Sequence, residues 1–109
     1  MSFQFALKII EYAELLEEKR KYVLSRQLTK SGTSIGANIR EAQNAESLND
    51  FIHKMKIAAK EADETEYWLL LAQHSKNYPN PDDLLLQCTD LSKILSKIIA
   101  SSKLRLRSK

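Results

Sequence analysis

The segment 31-SGTSIGANIREAQNA-45 decides how the chain is read. It holds Gly32 and Gly36, the only two glycines in 109 residues. Glycines that make a turn stand side by side, or next to proline or asparagine. These stand four apart, inside a pattern that otherwise reads as helix. Four residues is about one turn, so both fall on one helix face, one above the other. Without Cβ atoms that face lets a neighbouring backbone come close. The segment is therefore expected to be a tight packing strip that sets the geometry of the fold.

Extending the segment toward the N-terminus, Leu24, Leu28, Ile35, Ile39 and Ala42 share one stripe, in steps of 4, 4, 3, 4 and 3, if Gly32 takes the missing place. This predicts a helix over about residues 20–45. Each glycine weakens it by ~1 kcal/mol relative to alanine. The rival reading breaks the chain at Ser31, with Ser31 or Thr33 as an N-cap. The stripe keeps phase across the glycines, which favours a continuous helix.

On the C-terminal side, Ser47 with Asp50 three residues on has the form of a capping box, with Asp in place of the usual Glu. Phe51, Met55, Ala58, Ala62, Thr65, Leu69 and Ala72 then step 4, 3, 4, 3, 4 and 3, a bundle seam that predicts a helix over 48–76. Its small residues Ala58, Ala59 and Ala62 are expected opposite the glycine strip. Residues 67–72, YWLLLA, are apolar all round. One core cannot cover every side of them, so Tyr67, Trp68, Leu70 and Leu71 are candidates for a subunit interface.

The outer segments complete the pattern. Phe5, Ile9, Ala13 and Leu16 predict a first helix over 3–17, with Ser2 able to cap it and the charged run EEKRK (17–21) as the link. NYPNP (77–81) is a loop in which Asn80 suits an N-cap and Pro81 the first helical position. Leu84, Cys88, Leu91, Leu95 and Ile98 place a fourth helix over 81–103, and the basic tail SSKLRLRSK is expected to fray. Four helices with short links make an all-α, antiparallel up-down-up-down four-helix bundle in one domain, residues 1–109.

Composition narrows the function. A single cysteine rules out an internal disulfide, and no apolar run nears the ~20 residues that span a bilayer. The N-terminus lacks the features of a signal peptide. A soluble, cytoplasmic protein is expected. The net charge of +3 permits a nucleic-acid partner without demanding one.

The blocks VLSRQLTKSGTSIGANIREA (23–42) and DFIHKMKIAAKEADETEYWLLL (50–71), in this order and spacing, resemble the family of four-helix-bundle proteins encoded in intervening sequences of bacterial 23S rRNA genes. The likeness covers nearly the whole chain. Many relatives carry proline where this chain has Gly36 and glycine where it has Ala42. The resemblance implies an antiparallel four-helix bundle assembled as a ring-like homopentamer. It also implies kinship with the accessory variability proteins of diversity-generating retroelements. Those form a basic pentameric barrel that binds nucleic acid and works with a reverse transcriptase. No enzymatic activity comes with the family.

The residues themselves give little reason to expect catalysis. His53 and His74 stand 21 residues apart on one helix, about 30 Å along its axis, too far to share a metal. Cys88 lies on an apolar stripe and reads as a core thiol. Glutamate with histidine three residues on, the di-iron bundle motif, is absent. No metal or cofactor is expected, and no enzyme.

Two polar groupings remain. Ser34, Asn38 and Glu41 share one face of the second helix. They form either a ligand site or, as favoured here, a packed network, with Asn38 bonded between helices and Glu41 paired to a base near His53 or Lys56. The basic residues Arg26, Lys30, Arg40, Lys54, Lys56 and Lys60 are candidates for phosphate contacts. The bundle topology adds Lys103, Arg105, Arg107 and Lys109 at the end shared by Arg40 and Lys54. These bases either bind RNA or DNA through its backbone or only solubilise the subunit. The corresponding functions are a non-enzymatic oligomeric accessory protein that binds nucleic acid, or a scaffold ring that docks a protein partner without it.

Overall fold

Four helices make up the computed structural model, which describes residues 1–108: α1 (Ser2–Glu18), α2 (Tyr22–Gln43), α3 (Leu48–His74) and α4 (Asp82–Arg107). They form an antiparallel bundle in which each helix packs on the next and α1 closes against α4 over a smaller area.

Side-chain bonds fix the register. Glu41 of α2 meets Lys54 of α3 at 3.2 Å, and Ser31 meets Thr65 at 2.9 Å. As the chain climbs ten residues on α2 it descends eleven on α3, as antiparallel helices must. Ser25 Oγ donates to the Ala13 carbonyl at 3.0 Å and ties α2 to α1. The Cys88 thiol donates to the Ala62 carbonyl at 3.4 Å and ties α4 to α3. Tyr12 of α1 donates its hydroxyl to the Pro79 carbonyl in the loop before α4.

α2 runs unbroken through both glycines, so the reading with a break at Ser31 is set aside. The glycine strip faces α1, however, and not the alanines of α3. A Cβ on Gly32 would meet Ile9, and one on Gly36 would meet Ser2. The reason is angular. Each helical residue turns about 100° from the last. Ser31 points at α3, so Gly32 turns away from it toward α1.

The helix ends differ in smaller ways. Met1, not Ser2, stands at the N-cap of α1, and no side chain caps it. Ser47 Oγ accepts from the Asp50 N–H at 3.0 Å, as a capping box requires. The returning arm, Asp50 Oδ2, reaches the Glu46 N–H at 3.4 Å instead of the cap residue's own. At α4, Pro81 and not Asn80 stands at the N-cap, and Asp82 is the first helical residue; Asn80 Oδ1 still accepts from the Asp82 N–H at 2.8 Å, one residue ahead of the cap position. The basic tail does not fray before Arg107. α4 continues through Lys103 and Arg105, because Ser102 and Ile99 still pack inward. Lys109 lies outside the described residues.

The core is one cluster along the axis: Phe5, Ile9 and Leu16 from α1, Leu28 and Ile35 from α2, Met55, Ala58, Ala62 and Leu69 from α3, and Cys88, Leu91 and Leu95 from α4. α1, with 17 residues, is shorter than the 27-residue α3. Since Ser2 lies level with Gly36, α1 covers only part of the bundle. Beyond it three helices continue alone, and their seam residues Ile39, Phe51 and Ile98 are only partly buried.

Candidate nucleic-acid interface and the surfaces around it

Helix register separates the basic candidates along the bundle. Arg40 lies near the C-terminal end of α2, and Lys54, Lys56 and Lys60 lie in the first half of α3 beside it. Arg26 and Lys30 sit on α2 ten or more residues back from Arg40, at least about 15 Å away along the helix. The six do not share one level.

Their surroundings divide them further. Lys54 is engaged with Glu41, which lowers its value as a free cation. Lys30 and Lys60 lie near Glu61, where both act to lower its pKa. Burial of Glu61 and the neighbouring Glu64 outweigh them and push the Glu61 carboxyl above its ordinary value. Arg26, Arg40 and Lys56 are exposed and form no ion pair among the described residues.

The end of α4 adds to Arg40 and Lys56. Lys103, Arg105 and Arg107 occupy its last turns, where cations also complement the negative end of the helix dipole. Of the three acids near this end, Glu41 is paired with Lys54, while Asp50, whose carboxylate accepts from the Glu46 N–H, and Glu46 keep their charges.

Of the trio Ser34, Asn38 and Glu41, only Glu41 reaches another helix, where it pairs with Lys54 rather than Lys56 or His53. Asn38 does not bridge helices. Its Nδ2 donates to the Ser34 carbonyl of its own helix at 2.9 Å, and Ser34 Oγ donates to the Lys30 carbonyl at 2.6 Å. A buried side-chain bond between α2 and α3 is made instead by Ser31 and Thr65, a pair that sequence reasoning did not single out. The signal was present, since Ser31 stands three after Leu28 and four before Ile35, and Thr65 stood in the α3 seam.

Residues 67–72 divide as an over-apolar helix surface must. Leu69 and Ala72 are buried, Trp68 is half-buried, and Tyr67, Leu70 and Leu71 are 55%, 38% and 41% exposed. Trp68 packs edge-on to Tyr67, with ring centroids 5.2 Å apart. Its buried Nε1 has no hydrogen-bond partner among the described residues. Cys88 is fully buried, and burial pushes its thiol up to about 12, a state in which it is not a nucleophile at neutral pH. No helix among the described residues is long and apolar enough to cross a membrane.

Comparison with known proteins agrees with this architecture. No curated protein matches the chain. A crystal structure of a protein of unknown function from the S23 ribosomal protein family of Bacteroides thetaiotaomicron is similar, at 44% identity and a TM-score of 0.86. The match covers 90% of this chain and 94% of that one. The family model for the 23S rRNA-intervening sequence protein matches residues 1–97. With four antiparallel helices, the glycine-bearing α2 and a family match over most of its length, the chain belongs to the 23S rRNA-intervening sequence protein family.

Proposed function

We propose that this protein is a non-enzymatic accessory protein that binds RNA or DNA through the phosphate backbone and works as a homo-oligomer. The observation that supports this most is the basic end of the bundle. Arg40 and Lys56 share one level there, α4 carries Lys103, Arg105 and Arg107 on for about 12–20 Å further along the axis, and Glu41 is already paired with Lys54. Lysine and arginine contacts to phosphates give affinity without sequence reading. In a ring each cation repeats around the axis, so a modest patch on one subunit becomes a strong field.

Assembly is supported by the exposed Tyr67, Leu70 and Leu71 beside half-buried Trp68 on α3. Five subunits is the number that the family likeness implies. A reverse transcriptase or another nucleic-acid enzyme is the kind of protein such a ring would assist.

The test is fluorescence anisotropy with a labelled structured RNA and a labelled DNA duplex at low salt. The wild type is expected to bind both. A Lys56→Glu/Arg107→Glu variant, altered only at exposed positions, is expected to weaken both alike. Absence of binding at low salt sinks the proposal and favours a ring that docks only protein. Light scattering that reports only monomer defeats the oligomeric part.

A further inference from the structure

α1 stops short, and the bundle does not close over the gap. Gly36 faces α1 at Ser2, and Gln43, seven residues or nearly two turns further, continues the same face of α2 with no helix opposite. On α4, Asp83 meets Lys8 of α1 at 3.7 Å. Ser101, eighteen residues on, is five full turns from Asp83 and so lies on the same face, again unopposed. Between these faces lies an open slot in the line of α1. Two separate hollows flank it: Ile39, Arg40 and Gln43 line one at the α1–α2 edge, and Phe51, Lys97, Ile98 and Arg105 line another between α3 and α4.

The chemistry of the slot is mixed in a definite way. Its apolar floor, Ile39, Phe51 and Ile98, belongs to the seam of the bundle and is left partly exposed. Its charged lining, Arg40, Lys97 and Arg105, is entirely basic. The N-terminal end of α1 points into it, with no acidic residue in its first turn and no side-chain cap. A helix N-terminus carries partial positive charge, the same sign as Arg40, Lys97 and Arg105, and Asp90, two turns after Asp83 on the same face of α4, sets one carboxylate at the mouth of the slot. The register places residue 59 of α3 opposite Gly36, so the open length runs along residues 48–59, about 18 Å or three helical turns.

We propose that this slot receives an acidic amphipathic helix of about three turns from a partner protein, which completes the four-helix cross-section in line with α1. Apolar side chains at helical spacing would cover Ile39, Phe51 and Ile98. Flanking carboxylates would meet Arg40, Lys97 and Arg105. Phosphate groups satisfy the cations but leave the apolar floor exposed, and a basic or purely apolar helix leaves the cations unmatched. The slot shares Arg40 and Arg105 with the basic end, but Lys97 and the apolar floor belong to it alone, and peptide binding is measured without nucleic acid.

The test uses the full-length protein, with isoleucine methyl groups labelled for NMR, and a synthetic 14-residue helical peptide. One face of the peptide carries three leucines at positions i, i+4 and i+7, flanked by glutamates. Saturable binding is expected, with the Ile39 and Ile98 methyl signals among those that shift most. The Arg40→Glu/Arg105→Glu variant, altered at exposed positions, is expected to bind at least tenfold more weakly. Three results overturn the proposal. One is equal binding of a peptide with lysines in place of the glutamates. Another is shifts confined to other isoleucines, such as Ile10. The third is absence of peptide binding while the Ile39 and Ile98 signals change with protein concentration, which would mean that a second copy fills the slot.

Discussion

Ile9 of α1 occupies the space that a side chain at Gly32 of α2 would need. A Cβ at Gly32 would lie 2.8 Å from Ile9 Cγ2 and 2.9 Å from Cγ1, closer than carbon atoms tolerate. Ile9 is fully buried and cannot swing away. Gly36, one turn on, has room, with Ser2 Oγ at 3.6 Å.

The two glycines should therefore respond differently to alanine. Gly36→Ala is expected to stabilise by up to ~1 kcal/mol through helix propensity. At Gly32 the same gain is opposed by overpacking, which costs about 1–3 kcal/mol, so Gly32→Ala should be neutral to destabilising. Urea unfolding of both variants measures this. Stabilisation of similar size at both sites would contradict the α1–α2 contact.

Thr65 and Ser31 supply a second test. Thr65 Oγ1 lies 2.9 Å from Ser31 Oγ and 2.7 Å from the Glu61 carbonyl. Thr65→Val leaves the buried Ser31 hydroxyl without its partner, at a cost of about 1–3 kcal/mol. Removing that hydroxyl as well, in Thr65→Val/Ser31→Ala, should recover part of the loss. Additive losses in a double-mutant cycle would contradict the bond.

Tyr12 gives the bundle an alkaline limit. Burial, with Tyr78 nearby, pushes its hydroxyl from 10.0 up to about 12. In the unfolded chain the group ionises first, so its contribution is complete below pH 10 and is lost as pH rises toward 12. Stability should fall across that window, and Tyr12→Phe should flatten the fall. The variant should also be less stable at neutral pH by about 1–3 kcal/mol, since it leaves the Pro79 carbonyl without its donor. Unfolding midpoints measured between pH 8 and 12 settle both points.

The sequence made the helices legible because seam spacing records burial directly. Leu28–Ile35 and Phe51–Ala72 kept their phase over many turns. Direction around a helix was harder. Knowing that Gly32 and Gly36 share a face does not say which neighbour they meet, and the answer, α1, depends on how α2 is rotated. Ser31 and Thr65 were overlooked as partners because each looks unremarkable alone and gains meaning only from the register. The open slot was equally hidden. Ile39, Phe51 and Ile98 fit the seam, and only the level at which α1 starts leaves them partly uncovered. The basic residues were countable from the start, but their pairing was not. Lys54 and Arg40 look alike in sequence and differ in that Glu41 holds one of them.

The most direct test of the functional account is the salt dependence of RNA binding. Each phosphate contact on a duplex contributes about −0.9 to the slope of log affinity against log salt. Four contacts from Arg40, Lys56, Lys103 and Arg107 predict a slope of about −3.6 for a single subunit on duplex, and a steeper one for a ring. The Lys56→Glu/Arg107→Glu variant should be shallower by about 2. A flat salt response, or an unchanged slope in that variant, would contradict the claim that the basic end holds the nucleic-acid backbone.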